Sequence, residues 1–223
     1  MPRVYVVVEG QTEESFVKDV LAEVLSPRQV YLFPIILGIP GHKGGRTNYA
    51  RVKKDVLTLL KQDRSAHCST MLDFYGLGSG FPGSPLPPSL SSADKVTRLE
   101  QAMKVDICED VPDLRPDVRF LPYLQLHEFE GLLFSDPVAF ADGIRQAHLG
   151  QAFQRVRDEF ATPEDINDDP NHVSSKRVLH ACPTYEKVTD GTLAARAVGV
   201  ERMRRECPHF REWVERLEAL AAR

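Results

Sequence analysis

The chain has 223 residues, of which 42% are apolar and 27% are charged, and its formal net charge is -4. These are the proportions of an ordinary soluble globular protein that can bury a substantial core. The acidic balance excludes a generally basic nucleic-acid coat. It does not exclude a local basic groove, because the field around a protein depends on where its charges lie.

The cysteines predict a reducing environment. The four of them are scattered and form no Cys-x-x-Cys pair; they are Cys68, Cys108, Cys182 and Cys207. No secretory leader precedes the first apolar segment, and no apolar run approaches the roughly twenty residues of a membrane helix. We therefore expect a cytoplasmic protein with reduced thiols and no membrane contact.

The first residues predict a buried strand that turns sharply into a helix. The apolar run 4–8 is followed by Glu9, by Gly10 for a tight turn and by Thr12 as a helix cap. Glu13 lies four residues after Glu9, so both carboxylates can point toward one cation. The alternative is that Glu9 forms a cap or salt bridge and Glu13 is a solvated acid favoured by the helix dipole.

Apolar spacing predicts the next elements. A helix is expected over 13–25, a strand over 30–37 and a second helix over 48–60. Pro34 in the middle of the strand favours an edge position, since proline cannot donate to a neighbouring strand.

A glycine-rich loop, 38–49, carries the cations Lys43 and Arg46, and Arg51 follows it. The loop lacks the Gly-Lys-Ser/Thr ending of a nucleotide-binding P-loop. Its amides and cations could still hold a phosphate, and an ordinary surface loop is the alternative.

Two later strands also end in acids. The first, which starts at His67, ends at Asp73; in a parallel sheet it would bring Asp73 to the same carboxyl edge as Glu9. The second is expected over 118–126 and is followed by Glu128 and Glu130, two further candidate metal ligands. We interpret His127 between them as a core histidine, because magnesium prefers oxygen ligands.

The remaining segments are predicted to be mostly helical. A long loop is expected over 77–92, and a helix over 93–104; the stretch from 136 onward also reads as helical. A helix start at Ser174-Ser175 places Lys176 and Arg177 beside free amides, which predicts an anion site; solvated surface cations are the alternative. We expect an α/β domain over 1–135 and a helical C-terminal extension over 136–223 packed on it.

Val-Glu-Gly-Gln-Thr-Glu at the first strand resembles the first motif of Toprim domains, the Mg-dependent phosphoryl-transfer module of topoisomerases, primases and the overcoming-lysogenization-defect nucleases. The resemblance implies a Toprim/Rossmann-like, mostly parallel central sheet flanked by helices. Toprim domains commonly carry Asp-x-Asp at the second site, whereas this chain reads Asp73-Phe74-Tyr75. The missing acid puts in doubt a two-metal site built from that motif alone.

Nearly the whole chain resembles the bacterial and archaeal family catalogued as domain of unknown function 4276. The segments that carry this resemblance are Glu9–Glu13, Asn48-Tyr49, Leu72–Gly76, Pro122–Glu130, Ile166–Asp168, Ser175–Arg177 and Cys207–Phe210. That family is Toprim-like in its first half and is often encoded beside ATPases of the AAA or ABC type in phage-defence loci. The resemblance implies an acidic cluster of Glu9, Glu13, Asp73 and Glu130, with Glu128 as a further member.

These patterns lead to the hypothesis of a nuclease that uses Mg²⁺ or Mn²⁺ to hydrolyse phosphodiester bonds of DNA or RNA, with DNA favoured over RNA as its partner. Glu9 would be a metal ligand or the general base, and Asp73 and Glu130 would be metal ligands. Lys176, together with Arg177 or Lys187, would stabilise the charge on the scissile phosphate. Lys43, Arg46 and Arg51 would line the approach of the backbone. Two alternatives remain open: an adaptor subunit that mainly binds an ATPase, and a metal-dependent enzyme that acts on small phosphates.

Overall fold

The computed structural model describes residues 1–38, 47–78, 80–166 and 174–222. Its centre is a sheet of five strands: β1 Arg3–Val8, β2 Tyr31–Ile36, β3 His67–Asp73, β4 Phe120–Leu121 and β5 Leu124–Gln125. All pairings are parallel, in the order β2-β1-β3-β4, and β5 also lies beside β3. The expected α/β class with a parallel sheet is confirmed.

Helices cover both faces of this sheet. They are α1 Gln11–Phe16, α2 Ala22–Leu25, α3 Tyr49–Gln62, α4 Ser92–Asp110, α5 Pro116–Arg119, α6 Glu130–Leu133, α7 Pro137–Gly143, α8 Gly150–Asp158, α9 Ser174–Ala181, α10 Lys187–Val198, α11 Val200–Glu206 and α12 Pro208–Glu218. Within the described ranges, none is long and apolar enough to cross a membrane.

The predicted elements of the first half are largely confirmed. β2 pairs with β1 at one end of the sheet, with Pro34 opposite Val6, so the proline does lie on the edge strand. A π-helical stretch, Val17–Leu21, joins α1 and α2 into one helical run. Asn48 caps α3, because its side-chain oxygen accepts a hydrogen bond of 2.9 Å from the backbone N–H of Ala50.

The strand expected over 118–126 is wrong as a single element. The chain instead forms the end of α5, then β4, and then β5 after an interruption at Pro122. The hydroxyl of Thr70 fills the interruption: it accepts a hydrogen bond of 2.9 Å from Tyr123 N and donates one of 2.8 Å to Tyr123 O. Proline lacks the N–H that a continuous ladder needs, and a side chain of β3 takes the place of the missing backbone bonds.

Two apolar cores lie on opposite faces of the sheet. Side chains alternate along β1, so that Val4, Val6 and Val8 enter one core and Val7 the other. The core around Val7 is closed by α3 and α4. The core around Val6 also contains Phe210 and many other residues from beyond position 136, so the C-terminal helices bury one face of the sheet.

An aromatic stack fixes α12 on the sheet. The rings of Trp213 and Tyr123 are parallel, with centroids 4.2 Å apart, and His209 stacks on the other side of Tyr123 at 5.1 Å. Trp213 Nε1 donates a hydrogen bond of 2.9 Å to Ser69 Oγ of β3. The stack therefore joins the last helix to the middle of the sheet by both apolar contact and hydrogen bonding.

Two buried acids hold the start of α12. The carboxylate of Glu164 accepts hydrogen bonds of 3.0 and 2.9 Å from the backbone N–H groups of His209 and Phe210. Glu100 accepts one of 2.7 Å from Leu124 N and lies 2.9 Å from His209 Nε2. These contacts give the family motif at Cys207-Pro208-His209-Phe210 a role in anchoring the C-terminal helix.

A buried arginine ties together the amino end of the sheet. Arg119 is 8% exposed, and its guanidinium donates hydrogen bonds to four backbone carbonyls. The acceptors are those of Ala66, Leu114, Leu60 and Asp63. Removing it would leave those carbonyls without their donor.

We predict that Arg119→Met lowers the free energy of unfolding by about 2 to 4 kcal/mol, because several buried carbonyls lose a charged donor. Urea denaturation followed by circular dichroism measures this change. Arg64→Met is the control: Arg64 is exposed and its ion pair with Asp113 is 3.9 Å long, so little change is expected. Equal stability of the Arg119→Met and Arg64→Met variants would contradict the structural role of Arg119.

Candidate functional site

The carboxyl ends of β1 and β3 bring two acids together. The strands are paired in parallel, with Val8 opposite Met71, so Glu9 and Asp73 leave the sheet at the same edge. The backbone N–H of Asp73 donates a hydrogen bond of 3.3 Å to Glu9 Oε2. The placement follows from sheet topology, because ligand sites of open α/β sheets lie at this edge.

The carboxylate of Glu9 packs closely against the backbone at Gly76. A side chain at Gly76 would begin 2.8 Å from both carboxylate oxygens of Glu9, which is closer than real Cβ atoms come. Burial raises the pKa of the Glu9 carboxyl, while hydrogen bonds from the backbone of Asp73 and the side chain of Thr47 act to lower it. Only glycine at position 76 leaves room for the observed position of Glu9.

Glu13 faces the same region from the first turn of α1. It is 7% exposed, and its Oε2 accepts a hydrogen bond of 3.0 Å from the backbone N–H of Gly10. Burial and the nearby charge of Glu9 raise its pKa. The interpretation of Glu13 as a solvated helix-start acid is therefore wrong; the side chain is buried.

The segment after β5 supplies two more acids. His127 has a left-handed backbone with φ of 65°, and this turn separates Glu128 and Glu130 from the strand. Glu128 Oε2 accepts hydrogen bonds of 2.9 Å from Ser175 N and 3.3 Å from Ser174 Oγ. The helix start predicted to bind an anion thus holds a carboxylate of the protein itself.

Glu130, which is buried, forms an ion pair with the half-exposed Lys187. Glu130 is 2% exposed, and its Oε1 lies 3.2 Å from Nζ of Lys187. Burial raises the pKa of Glu130, and the positive charge of Lys187 opposes that effect. Burial acts to lower the pKa of Lys187, but the carboxylates around it outweigh burial and raise the pKa.

Asp73 lies where the negative charges concentrate. Burial raises its pKa well above the usual range, and four neighbouring carboxylates add to the effect: those of Glu13, Glu9, Glu130 and Glu128. Its Oδ1 atom is buried and has no hydrogen-bond partner among the described residues. An unpartnered buried carboxylate oxygen among other acids favours the binding of a cation.

The other predicted site residues lie outside this cluster or outside the described ranges. Arg177 forms an ion pair of 3.2 Å with Glu159 and lies 5.3 Å above the ring of Phe160. Lys176 is exposed on α9. Arg51 is exposed on α3. Its Nη1 atom would lie 3.9 Å from a Cβ atom added at Gly38.

Three other predicted features lie outside the described residues: the cations Lys43 and Arg46, and the motif segment Asn167-Asp168. Their assignments stay predictions from sequence.

The chemistry of the donors fits a hard divalent cation. All five carboxylates offer oxygen, the ligand that Mg²⁺ and Mn²⁺ prefer. Within the described ranges, no three His, Cys, Asp or Glu side chains already form a compact set of metal ligands. Holding an ion would therefore require the carboxylates to draw together around it, and the buried Asp73 Oδ1 atom is the donor most in need of such a partner.

Sequence reasoning missed two members of the site. Thr47 is buried beside Glu9, and the backbone bonds between Thr47 and Gly76 and between Gly78 and Thr47, of 2.7 and 2.9 Å, hold it there. Tyr185 is buried near Glu130. Neither position follows a predicted strand, so topology offered no signal for them.

We predict that Gly76→Ala weakens Mn²⁺ binding by about ten-fold or more, because the added methyl group displaces the carboxylate of Glu9. Titration calorimetry measures this affinity. Gly10→Ala is the matched control: its methyl group would lie 3.5 Å from Glu13 Oε2, an ordinary contact, and its φ of -157° suits alanine. Unchanged Mn²⁺ affinity in Gly76→Ala would contradict the conclusion that the position of Glu9 requires glycine at position 76.

The raised pKa values predict how stability depends on pH without metal. The folded chain binds protons at these carboxyls more tightly than the unfolded chain does, so its stability falls as the pH rises above their ordinary pKa values, 3.8 for Asp73 and 4.5 for the glutamates. In EDTA, the unfolding temperature should fall from about pH 5.5 to about pH 8. Asp73→Asn should make the fall smaller; an equal fall in both proteins would show that these charges do not determine it.

Comparisons with known proteins identify a family for the chain. The family described as domain of unknown function (DUF4276) matches residues 8–218. Curated proteins give no match. Among solved structures, the C-terminal region of the OLD protein of Xanthomonas campestris pv. campestris is similar, with a TM-score of 0.44 and 14% identity, over 100% of this chain and 97% of that chain. That likeness is weak, whereas the family match spans nearly the whole chain: the protein belongs to the DUF4276 family.

Proposed function

We propose that this protein hydrolyses phosphodiester bonds in nucleic acid, DNA or RNA, using Mg²⁺ or Mn²⁺. The observation that carries the proposal is the buried carboxylate of Asp73: four other carboxylates act on it electrostatically, and its Oδ1 atom has no hydrogen-bond partner within the described part of the chain. The resemblance of the first motif to Toprim domains supports the same reaction class.

Four of the acids would be metal ligands, and the fifth, Glu13, would have a structural role. Glu9, Asp73 and Glu130 would hold the ion, with Glu128 as a further ligand once it leaves the start of α9. When bound, the ion would polarise the phosphate and lower the pKa of a water molecule. Glu13 lies behind Glu9, bonded to the backbone N–H of Gly10, and holds the turn at the end of β1.

Glu9 and Lys187 are suited to the movement of charge in this reaction. Where Glu9 stays off the ion, its raised pKa suits it to act instead as the general base that accepts a proton from the attacking water. Lys187 is 47% exposed although it pairs with the buried Glu130. Its ammonium can therefore reach a phosphate at the surface of the site and stabilise the charge that develops on it.

Substrate recognition would rest on phosphates. Arg51 is an exposed cation on α3, the helix that follows the glycine-rich loop. Lys176 is an exposed cation on α9, the first described helix after Ile166. Contacts with phosphates position a nucleic acid without reading its sequence. We further propose that the protein is the effector of a phage-defence system and acts with an AAA or ABC-type ATPase, as the family resemblance implies.

We predict that Glu9→Gln and Asp73→Asn each lower Mn²⁺-dependent cleavage by about 100-fold or more, because each removes a charged oxygen ligand or base. The assay follows plasmid DNA and RNA on gels, with EDTA as the blank. Asp117→Asn is the control, since Asp117 is an exposed acid paired with Arg115 at the far end of the sheet.

Cleavage that survives both site substitutions would contradict the nuclease proposal. Copurification with an ATPase and no metal-dependent cleavage would instead support the adaptor alternative. Release of phosphate from nucleotides, with DNA and RNA intact, would support an enzyme for small phosphates.

We predict that Lys187→Met lowers cleavage by about 100-fold while Mn²⁺ binds as tightly as before or more tightly, because the substitution removes a phosphate-stabilising cation and leaves all the acids. Single-turnover cleavage and calorimetry separate the two effects. Lys53→Met, which breaks ion pairs with Asp106 and Asp110 on the other face of the sheet, should change neither. Weaker Mn²⁺ binding in Lys187→Met would contradict this assignment.

A further inference from the structure

Tyr185 has a buried hydroxyl that the proposed reaction leaves without a role. The residue lies between α9 and α10 and is 5% exposed. Among the residues that the structure describes, its hydroxyl has no hydrogen-bond partner. A buried hydroxyl without a partner destabilises the folded chain, so packing alone would favour phenylalanine at this position.

The hydroxyl of Tyr185 lies near two residues that directly precede members of the acidic cluster. A side chain at Gly191 would begin 3.1 Å from this hydroxyl, 3.4 Å from Cε1 of Phe129 and 3.7 Å from Cγ2 of Thr12. Phe129 directly precedes Glu130, and Thr12 directly precedes Glu13. The absence of a side chain at Gly191 therefore leaves space for the hydroxyl beside Phe129 and Thr12, the residues that directly precede two members of the cluster.

The carboxylate of Glu130 has an oxygen atom that could accept a hydrogen bond from Tyr185. Its Oε1 atom is buried and 3.2 Å from Nζ of Lys187, but no described donor makes a well-directed hydrogen bond to it. Tyr185 lies within electrostatic range of Glu130: burial raises the pKa of Tyr185, and the charge of Glu130 adds to that effect. Within the described ranges, Tyr185 thus offers a donor that has no acceptor, and Glu130, which acts on it electrostatically, offers an acceptor that has no well-directed donor.

We propose that Tyr185 is a positioning residue whose hydroxyl donates a hydrogen bond to the carboxylate of Glu130 when Lys187 turns toward a bound phosphate. This inference rests on the proposed function, because it assigns Glu130 to the metal. A neutral donor is suited to this role, since it orients the carboxylate without cancelling the negative charge that holds the ion. Lys187 and Tyr185 therefore share one acceptor and replace each other there.

The test measures Mn²⁺ binding by calorimetry and thermal unfolding for the full chain. Tyr185→Phe should weaken Mn²⁺ binding by about ten-fold while the metal-free protein unfolds at the same or a higher temperature. Tyr49→Phe is the matched control. Its hydroxyl donates a hydrogen bond of 2.6 Å to Asp106 on the other face of the sheet, so the substitution should lower stability and leave Mn²⁺ affinity unchanged.

A second measurement tests the shared acceptor. A Lys187→Met background lacks the ammonium beside Glu130, so Tyr185→Phe should reduce Mn²⁺ affinity there by a larger factor than in the wild type. Equal factors in the two backgrounds, or unchanged affinity in Tyr185→Phe, would overturn this inference alone. A wild-type chain that binds no Mn²⁺ would overturn the proposed function and the inference with it.

Discussion

The burial of carboxylates, to which their mutual repulsion adds, is the constraint on which this site depends. Five acids are brought to one edge of the sheet, and burial and proximity raise the pKa of several of them. Hydrogen bonds from backbone N–H groups and the ammonium of Lys187 offset part of this cost. Without a cation the arrangement opposes folding, and a protein keeps such an arrangement where function requires it.

The two halves of the chain contribute different parts of that balance. The strands supply Glu9 and Asp73, whose positions follow from parallel pairing. The helices beyond position 136 supply the compensating groups: α10 begins with Lys187, and the start of α9 binds Glu128. The stack of Trp213 on Tyr123 and the clamp of Glu164 on α12 hold these helices against the sheet. The helical part thus completes the site as well as the core.

Sequence reasoning predicted the parts of the molecule that follow from local pattern and sheet topology. Strands ending in acids predicted that Glu9 and Asp73 leave the sheet at one edge, and Pro34 predicted the edge strand. The prediction of one continuous strand failed between β4 and β5, because the side chain of Thr70 makes the hydrogen bonds that the backbone of a continuous strand would make. Sequence reasoning also missed contacts between distant segments, such as Glu128 with the start of α9, because periodicity carries no information about them.

A crystal structure of the protein soaked with Mn²⁺ tests the central claim most directly, since anomalous scattering locates the ion without reference to activity. The account predicts a peak at the carboxyl edge of the sheet, with oxygens of Glu9, Asp73 and Glu130 drawn toward it at ligand distance and the Glu130 carboxylate within reach of the Tyr185 hydroxyl. An ion bound elsewhere, or carboxylates that stay in their metal-free positions at saturating Mn²⁺, would contradict it.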